Sequence, residues 1–267
     1  MNLNDIFKII AKIVDEVTEE AANPEPPKPD LPMVDWLPSV PHDRRIPDKR
    51  DFSKRRIPAQ YVVVHTTGAG IVQKAFDKGI KDTRGVARYA CDYYARSGNN
   101  VSTHFLIDWD GNVWQILPLG VRGWHAGWKD QVRKLYSTTA WQGWSHPLGG
   151  SLSEKAPNGE YEDWKARWPG LDSPRELLPE GADSPNSGSI SVDLLAVPAS
   201  GPWGEQQKDA LNALTLELCD RMGVEHNERT VLPHSYLDPM RRMTKKKGVS
   251  ITEWMWDPKD WDELIGS

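Results

Sequence analysis

At the start of the chain Leu3, Ile6, Phe7, Ile9, Ile10, Ile13, Val14 and Val17 recur at three- and four-residue spacing, with Asp5, Lys8, Lys12, Asp15 and Glu16 between them. This periodicity predicts an amphipathic helix whose apolar stripe needs a partner surface, on its own domain or on another protein. The run Asn23-Pro24-Glu25-Pro26-Pro27-Lys28-Pro29-Asp30 that follows is extended and semi-rigid by composition, so residues 1–30 read as a helix and linker set apart from the rest. Residues 31–57, with several prolines and many Asp, Arg and Lys, read as a surface arm.

The pattern then changes to that of a buried core. Tyr61-Val62-Val63-Val64-His65 is an unbroken apolar run ending in a histidine, the mark of a buried strand. Residues 86–95 read as a helix. Residues 103–108 and 113–117 read as strands joined through Asp110-Gly111, a strong hairpin signal. Residues 189–195 read as a further strand. Ala210, Leu211, Leu214, Leu218 and Met222 keep helical register over 205–222, and Gly223 closes that helix. Strands interleaved with helices predict an α/β fold, a mixed central β-sheet flanked by helices, over residues 58–267. Regular periodicity lapses at about 129–185, which reads as an insertion over the active face.

A length of 267 residues suits one substantial core with an appendage. The net charge of −5 is spread rather than blocked, which excludes a nucleic-acid binder held by phosphate neutralisation. No stretch is apolar enough to span a bilayer, so no transmembrane segment is expected. The N-terminus has acidic residues where a secretory signal needs positive charge, so a cytoplasmic protein, or one delivered by a phage or secretion machine, is expected. Cys91 and Cys219 lie among apolar neighbours and read as buried thiols, with a single bridge possible. The 13 tryptophans are far above ordinary usage, with a cluster at Trp124, Trp128, Trp141, Trp144, Trp164 and Trp168. Core filling accounts for at least half of them, and stacking on sugar rings in a groove suits the rest.

Candidate chemistry begins with His65 and with His234 in Val231-Leu232-Pro233-His234-Ser235. A histidine leaving a buried strand is held by rigid backbone at the edge of solvent, so two of them can converge on one ion, which suggests a zinc hydrolase. Between them stand Val101-Ser102-Thr103-His104-Phe105-Leu106-Ile107-Asp108, Gly123-Trp124-His125-Ala126-Gly127 and Asn186-Ser187-Gly188-Ser189-Ile190-Ser191-Val192-Asp193-Leu194. In this order the motifs resemble the type-2 N-acetylmuramoyl-L-alanine amidases and the peptidoglycan recognition proteins that share their fold, over residues 58–265.

The resemblance implies zinc-dependent hydrolysis of the amide joining N-acetylmuramic acid to L-alanine, with peptidoglycan and muropeptides as partners. It implies His65 and His234 as two zinc ligands and Asp193 as general base, where relatives carry a glutamate. Aspartate is one methylene shorter, and a base must reach within about 3 Å of the atom whose proton it takes. Trp124 and His125 are implied as substrate contacts. Thr103 joins them at a position where some relatives have a tyrosine, whose acid–base work a threonine cannot do. His104 is expected to pack under the sheet. Arg242 is the basic residue that would stabilise a developing oxyanion. Thr244 holds the position of the third ligand, and a neutral hydroxyl is a poor one. Asp238 and Asp257 are therefore alternatives, as is weak or absent zinc binding. Two other readings follow: a peptidoglycan-binding module without chemistry, or a structural part of a phage tail or secretion machine. Lysis as an endolysin or an antibacterial effector would fit the first reading.

Overall fold

The computed structural model describes residues 36–46, 52–67, 69–96, 101–128, 167–196, 204–238 and 261. These belong to one of two compact units, Asp35–Ser267; the other, Met1–Val34, with the expected N-terminal helix and its linker, lies outside the described residues. So does 129–166, the larger part of the expected insertion.

In chain order the elements are β1 (Ser53–Lys54), β2 (Tyr61–Thr66), α1 (Ala69–Asp77), α2 (Thr83–Ala95), β3 (Phe105–Ile107), β4 (Val113–Gln115) and β5 (Val121–Arg122). After the insertion come β6 (Ser189–Leu194), α3 (Glu205–Met222), β7 (Val231–Pro233) and the single turn α4 (His234–Leu237). The main sheet has the order β4-β3-β6-β2-β7, with β3, β6, β2 and β7 parallel and β4 antiparallel at one edge. β1 and β5 form a separate antiparallel ribbon. Every residue of β2 and β6 is buried, as parallel strands covered on both faces must be.

Alternation along β3 assigns the two faces. Phe105 and Ile107 pack with Leu211, Leu214 and Leu218 of α3. Leu106 points the other way, into a cluster with Trp114 and with Val86, Ala87, Ala90 and Cys91 of α2 and Val72 and Ala75 of α1. The mixed sheet flanked by helices is thus the observed architecture. Asp82 caps α2 by accepting the Gly85 N–H at 2.8 Å, and Gly223, at φ 68°, ends α3 in the left-handed conformation. The hairpin turn is organised by Asp108, whose carboxylate accepts from the backbone of Asp110 and Asn112 and from the Trp114 indole. Gly111 is at φ 76°, and a Cβ there would lie 2.6 Å from the Gln206 carbonyl, so only glycine lets the turn meet the start of α3.

Several expectations shift. The strands expected over 103–108 and 113–117 shorten to three residues each, because Ile116 and Leu117 both donate to the His104 carbonyl and leave the regular ladder. α1 is an additional helix, in which Ile71, Val72, Ala75 and Phe76 carry a helical spacing. The arm is not wholly superficial, for Leu37, Val40 and Ile46 are buried. Cys91 and Cys219 are free, buried thiols. Trp114, Trp168 and Trp261 fill the core, and Trp128 is buried, whereas Trp124 remains 38% exposed. No helix among the described residues is long and apolar enough to cross a membrane.

Candidate active site

Strand register lines up the residues that carry chemistry. Leu106 pairs with Asp193 and Asp193 with His65, so these three neighbours share a row and a face of the sheet. On the far side of β2, Pro233 pairs with Val64, and the next residue, His234, opens α4 beside His65. The two imidazoles stand 4.5 Å apart between ring centroids at 56°. A cleft of about 370 Å³ opens along this row, lined by His65, Asp193, Thr103, His125, Tyr94 and Lys74 among others.

His125 is positioned by Asn186, whose side-chain oxygen accepts the backbone N–H groups of His125 and Ala126 at 3.1 and 2.7 Å. Its ring bridges two partners, His65 Nε2 to Nδ1 at 3.0 Å and Ser189 Oγ to Nε2 at 3.0 Å. The Ser189 hydroxyl donates to the Pro185 carbonyl, an obligate acceptor, so His125 Nε2 must be the donor to Ser189. Burial, then the neighbouring His65, His104, Arg55 and Arg122, holds the His125 pKa well below its ordinary value, so the ring is neutral and its Nδ1 accepts. His65 therefore donates from Nε2, and in its neutral form the lone pair sits on Nδ1. That is the state a metal-binding imidazole needs, with one nitrogen fixed by a protein partner.

Asp193 is 4% exposed and accepts a hydrogen bond from the Tyr94 hydroxyl at 2.5 Å. Sequence reasoning missed Tyr94; its only signal is a place on the buried face of α2, where a phenol needs a partner. Thr103 lines the cleft but turns its hydroxyl to the Phe105 carbonyl and to Ser191, within hydrogen-bonding distance of each. Trp124 is exposed but does not line the cleft itself; it adjoins the lining residue Ser102, donating its N–H to the Ser102 hydroxyl and accepting the Ser102 N–H at its carbonyl.

His104 packs under the sheet as expected. Its Nδ1 accepts the Ser191 N–H at 3.1 Å and its Nε2 donates to the Val121 carbonyl at 3.1 Å, which fixes a neutral tautomer. Burial, with Arg55 beside it, pulls its pKa from 6.5 down to about 3. Between these values the unfolded chain binds a proton that the folded one refuses. His104 therefore costs nothing above about pH 6.5, and stability falls on acidification from there toward pH 3, by up to about 1.4 kcal/mol per pH unit for this one proton. Urea unfolding across pH 4–7 is expected to show this acid limb, and His104→Gln to flatten it.

Among the described residues no group of three or more His, Cys, Asp or Glu side chains could hold a metal ion. Asp238 is buried and its backbone N–H closes the α4 turn onto the His234 carbonyl, but its carboxylate is not gathered with His65 and His234 into such a group. Arg242, Thr244 and Asp257 lie outside the described residues. The donor chemistry thus fits zinc in its two imidazoles and is incomplete, among the described residues, in its third member.

A family model described as N-acetylmuramoyl-L-alanine amidase matches residues 54–248, a span holding His65, Asp193 and His234. Among solved structures the chain is similar to a selenomethionine derivative of AmpD (18% identity, 86% of this chain and 96% of that one, TM-score 0.43). It is also similar to PGRP-Hd from Alvinella pompejana (15%, 69% and 77%, 0.37). A third is the N-acetylmuramyl-L-alanine amidase AmiD from E. coli (16%, 70% and 51%, 0.34). A search of curated proteins gives no match.

Proposed function

The chain belongs to the N-acetylmuramoyl-L-alanine amidase family, and from that premise we propose that it hydrolyses the amide between N-acetylmuramic acid and L-alanine in peptidoglycan, with zinc as its cofactor. The observation that carries the reading is the alignment of His234, His65 and Asp193 at one end of adjacent strands, with His65 and Asp193 lining one cleft and His234 against His65. His65 and His234 would hold the ion, with a carboxylate, Asp238 or Asp257, as the third donor proposed from the sequence. Zinc bound there supplies Lewis acidity to a carbonyl in the cleft.

The protein's own groups carry the proton. Asp193 takes a proton from the attacking water as the water oxygen bonds to the carbonyl carbon, and returns it to the departing L-alanine nitrogen as the C–N bond breaks. His125 holds His65 in the tautomer described above. Arg242 is proposed as the positive charge facing the oxyanion. Trp124 presents an exposed indole face to the glycan.

The test is incubation of zinc-supplemented protein with purified muropeptides. Release of free glycan and intact stem peptide is the expected result, and no cleavage by fully metallated protein refutes the reading. Trp124→Ala is expected to raise KM about 3- to 10-fold, the scale of one stacking contact, with kcat little changed. Steady-state kinetics on a disaccharide-containing substrate checks it.

A further inference from the structure

We propose that Tyr94 is a positioning residue for hydrolysis, holding the Asp193 carboxylate in its working orientation at the cleft floor; this rests on the amidase reading above. Three observations carry it. The Tyr94 hydroxyl lies 2.5 Å from Asp193 Oδ2. Both side chains line the cleft that holds His65, so the pair meets at the proposed reaction site. Tyr94 reaches Asp193 from a different element, projecting from the face of α2 that also buries Val86, Ala87, Ala90 and Cys91, which makes its position rigid.

The physical consequence follows from burial. A carboxylate that is 4% exposed loses most of its hydration and needs protein donors to remain ionised. A phenol O–H to carboxylate bond is charge-assisted and short, and it fixes one oxygen and with it the plane of the group. Tyr94 does not itself take protons, because burial and then the Asp193 charge push its phenol well above its ordinary pKa, and it remains a donor. The shorter aspartate side chain is thereby held at one place by a second element, with fewer rotatable bonds to absorb error than a glutamate has.

The experiment is a double-mutant cycle on zinc-supplemented protein with a purified muropeptide, using wild type, Tyr94→Phe, Asp193→Asn and the double variant. Tyr94→Phe is expected to lower kcat about 10- to 100-fold with KM within about twofold, the scale of one hydrogen bond to a charged group. In the Asp193→Asn background the same change should alter the residual kcat by less than about twofold, since its partner's role is already gone. A Tyr94→Phe rate equal to wild type, or costs that multiply in the double variant, overturns the proposal. Because Tyr94→Phe removes a buried donor and its fold must be checked, 3-fluorotyrosine placed at position 94 gives a second reading in the native shape. A stronger donor weakens the base it holds and should lower kcat about 2- to 5-fold, and no change overturns the proposal. Wild-type protein that fails to cleave overturns both this proposal and the amidase reading, whereas active wild type with an indifferent position 94 overturns this proposal alone.

Discussion

Replacing His65 with alanine is expected to abolish muropeptide cleavage, with kcat/KM falling on the order of 10³-fold or more and zinc lost from the purified protein. The size of the effect comes from where His65 sits. It is one of two imidazoles at 4.5 Å, it neighbours Asp193 in the sheet, and its Nε2 is tied to His125. Alanine removes a proposed metal donor and leaves His125 Nδ1 without the N–H that it accepts. His234→Ala is expected to match it, because two ligands of one ion are lost as a unit rather than additively. Elemental analysis and near-UV circular dichroism on the same samples separate loss of metal from loss of fold. The same metal assay decides the third donor: stoichiometric zinc is expected to fall in Asp238→Ala or in Asp257→Ala. A His65→Ala protein that cleaves at the wild-type rate removes the basis of the hydrolytic account.

Asp193→Asn is expected to lower kcat by about 10²- to 10⁴-fold while leaving KM nearly unchanged. The amide keeps the shape of the side chain and still accepts from Tyr94, so folding should survive, but it cannot take a proton from water. Zinc content should stay at the wild-type level, which distinguishes this loss from that of His65→Ala. Asp193→Glu restores a carboxylate but lengthens the arm held by Tyr94 at 2.5 Å, so it is expected to recover only part of the rate. Steady-state kinetics with matched zinc measurements checks both variants, and a wild-type kcat in Asp193→Asn removes Asp193 from the mechanism.

The amino-acid sequence alone determined the strand at 61–65, the helix at 205–222, the Asp-Gly hairpin and the candidacy of His65, His234 and Asp193. Those features are local: unbroken apolar runs, a 3.6-residue period, a turn that demands positive φ, and short motifs in a fixed order. The helix at 69–77 shows in the sequence only as Ile71, Val72, Ala75 and Phe76, a period too brief to distinguish a helix from a loop. The burial of Leu37 and Val40 was hidden by the prolines and charges around them. Only the tertiary structure decided that Tyr94 holds Asp193 and that His125 spends both ring nitrogens on His65 and Ser189. These facts depend on strand register and on how a helix lies across a sheet. A shift of one residue in the pairing of β2 with β6 would turn His65 and Asp193 to opposite faces, and no single segment records that pairing.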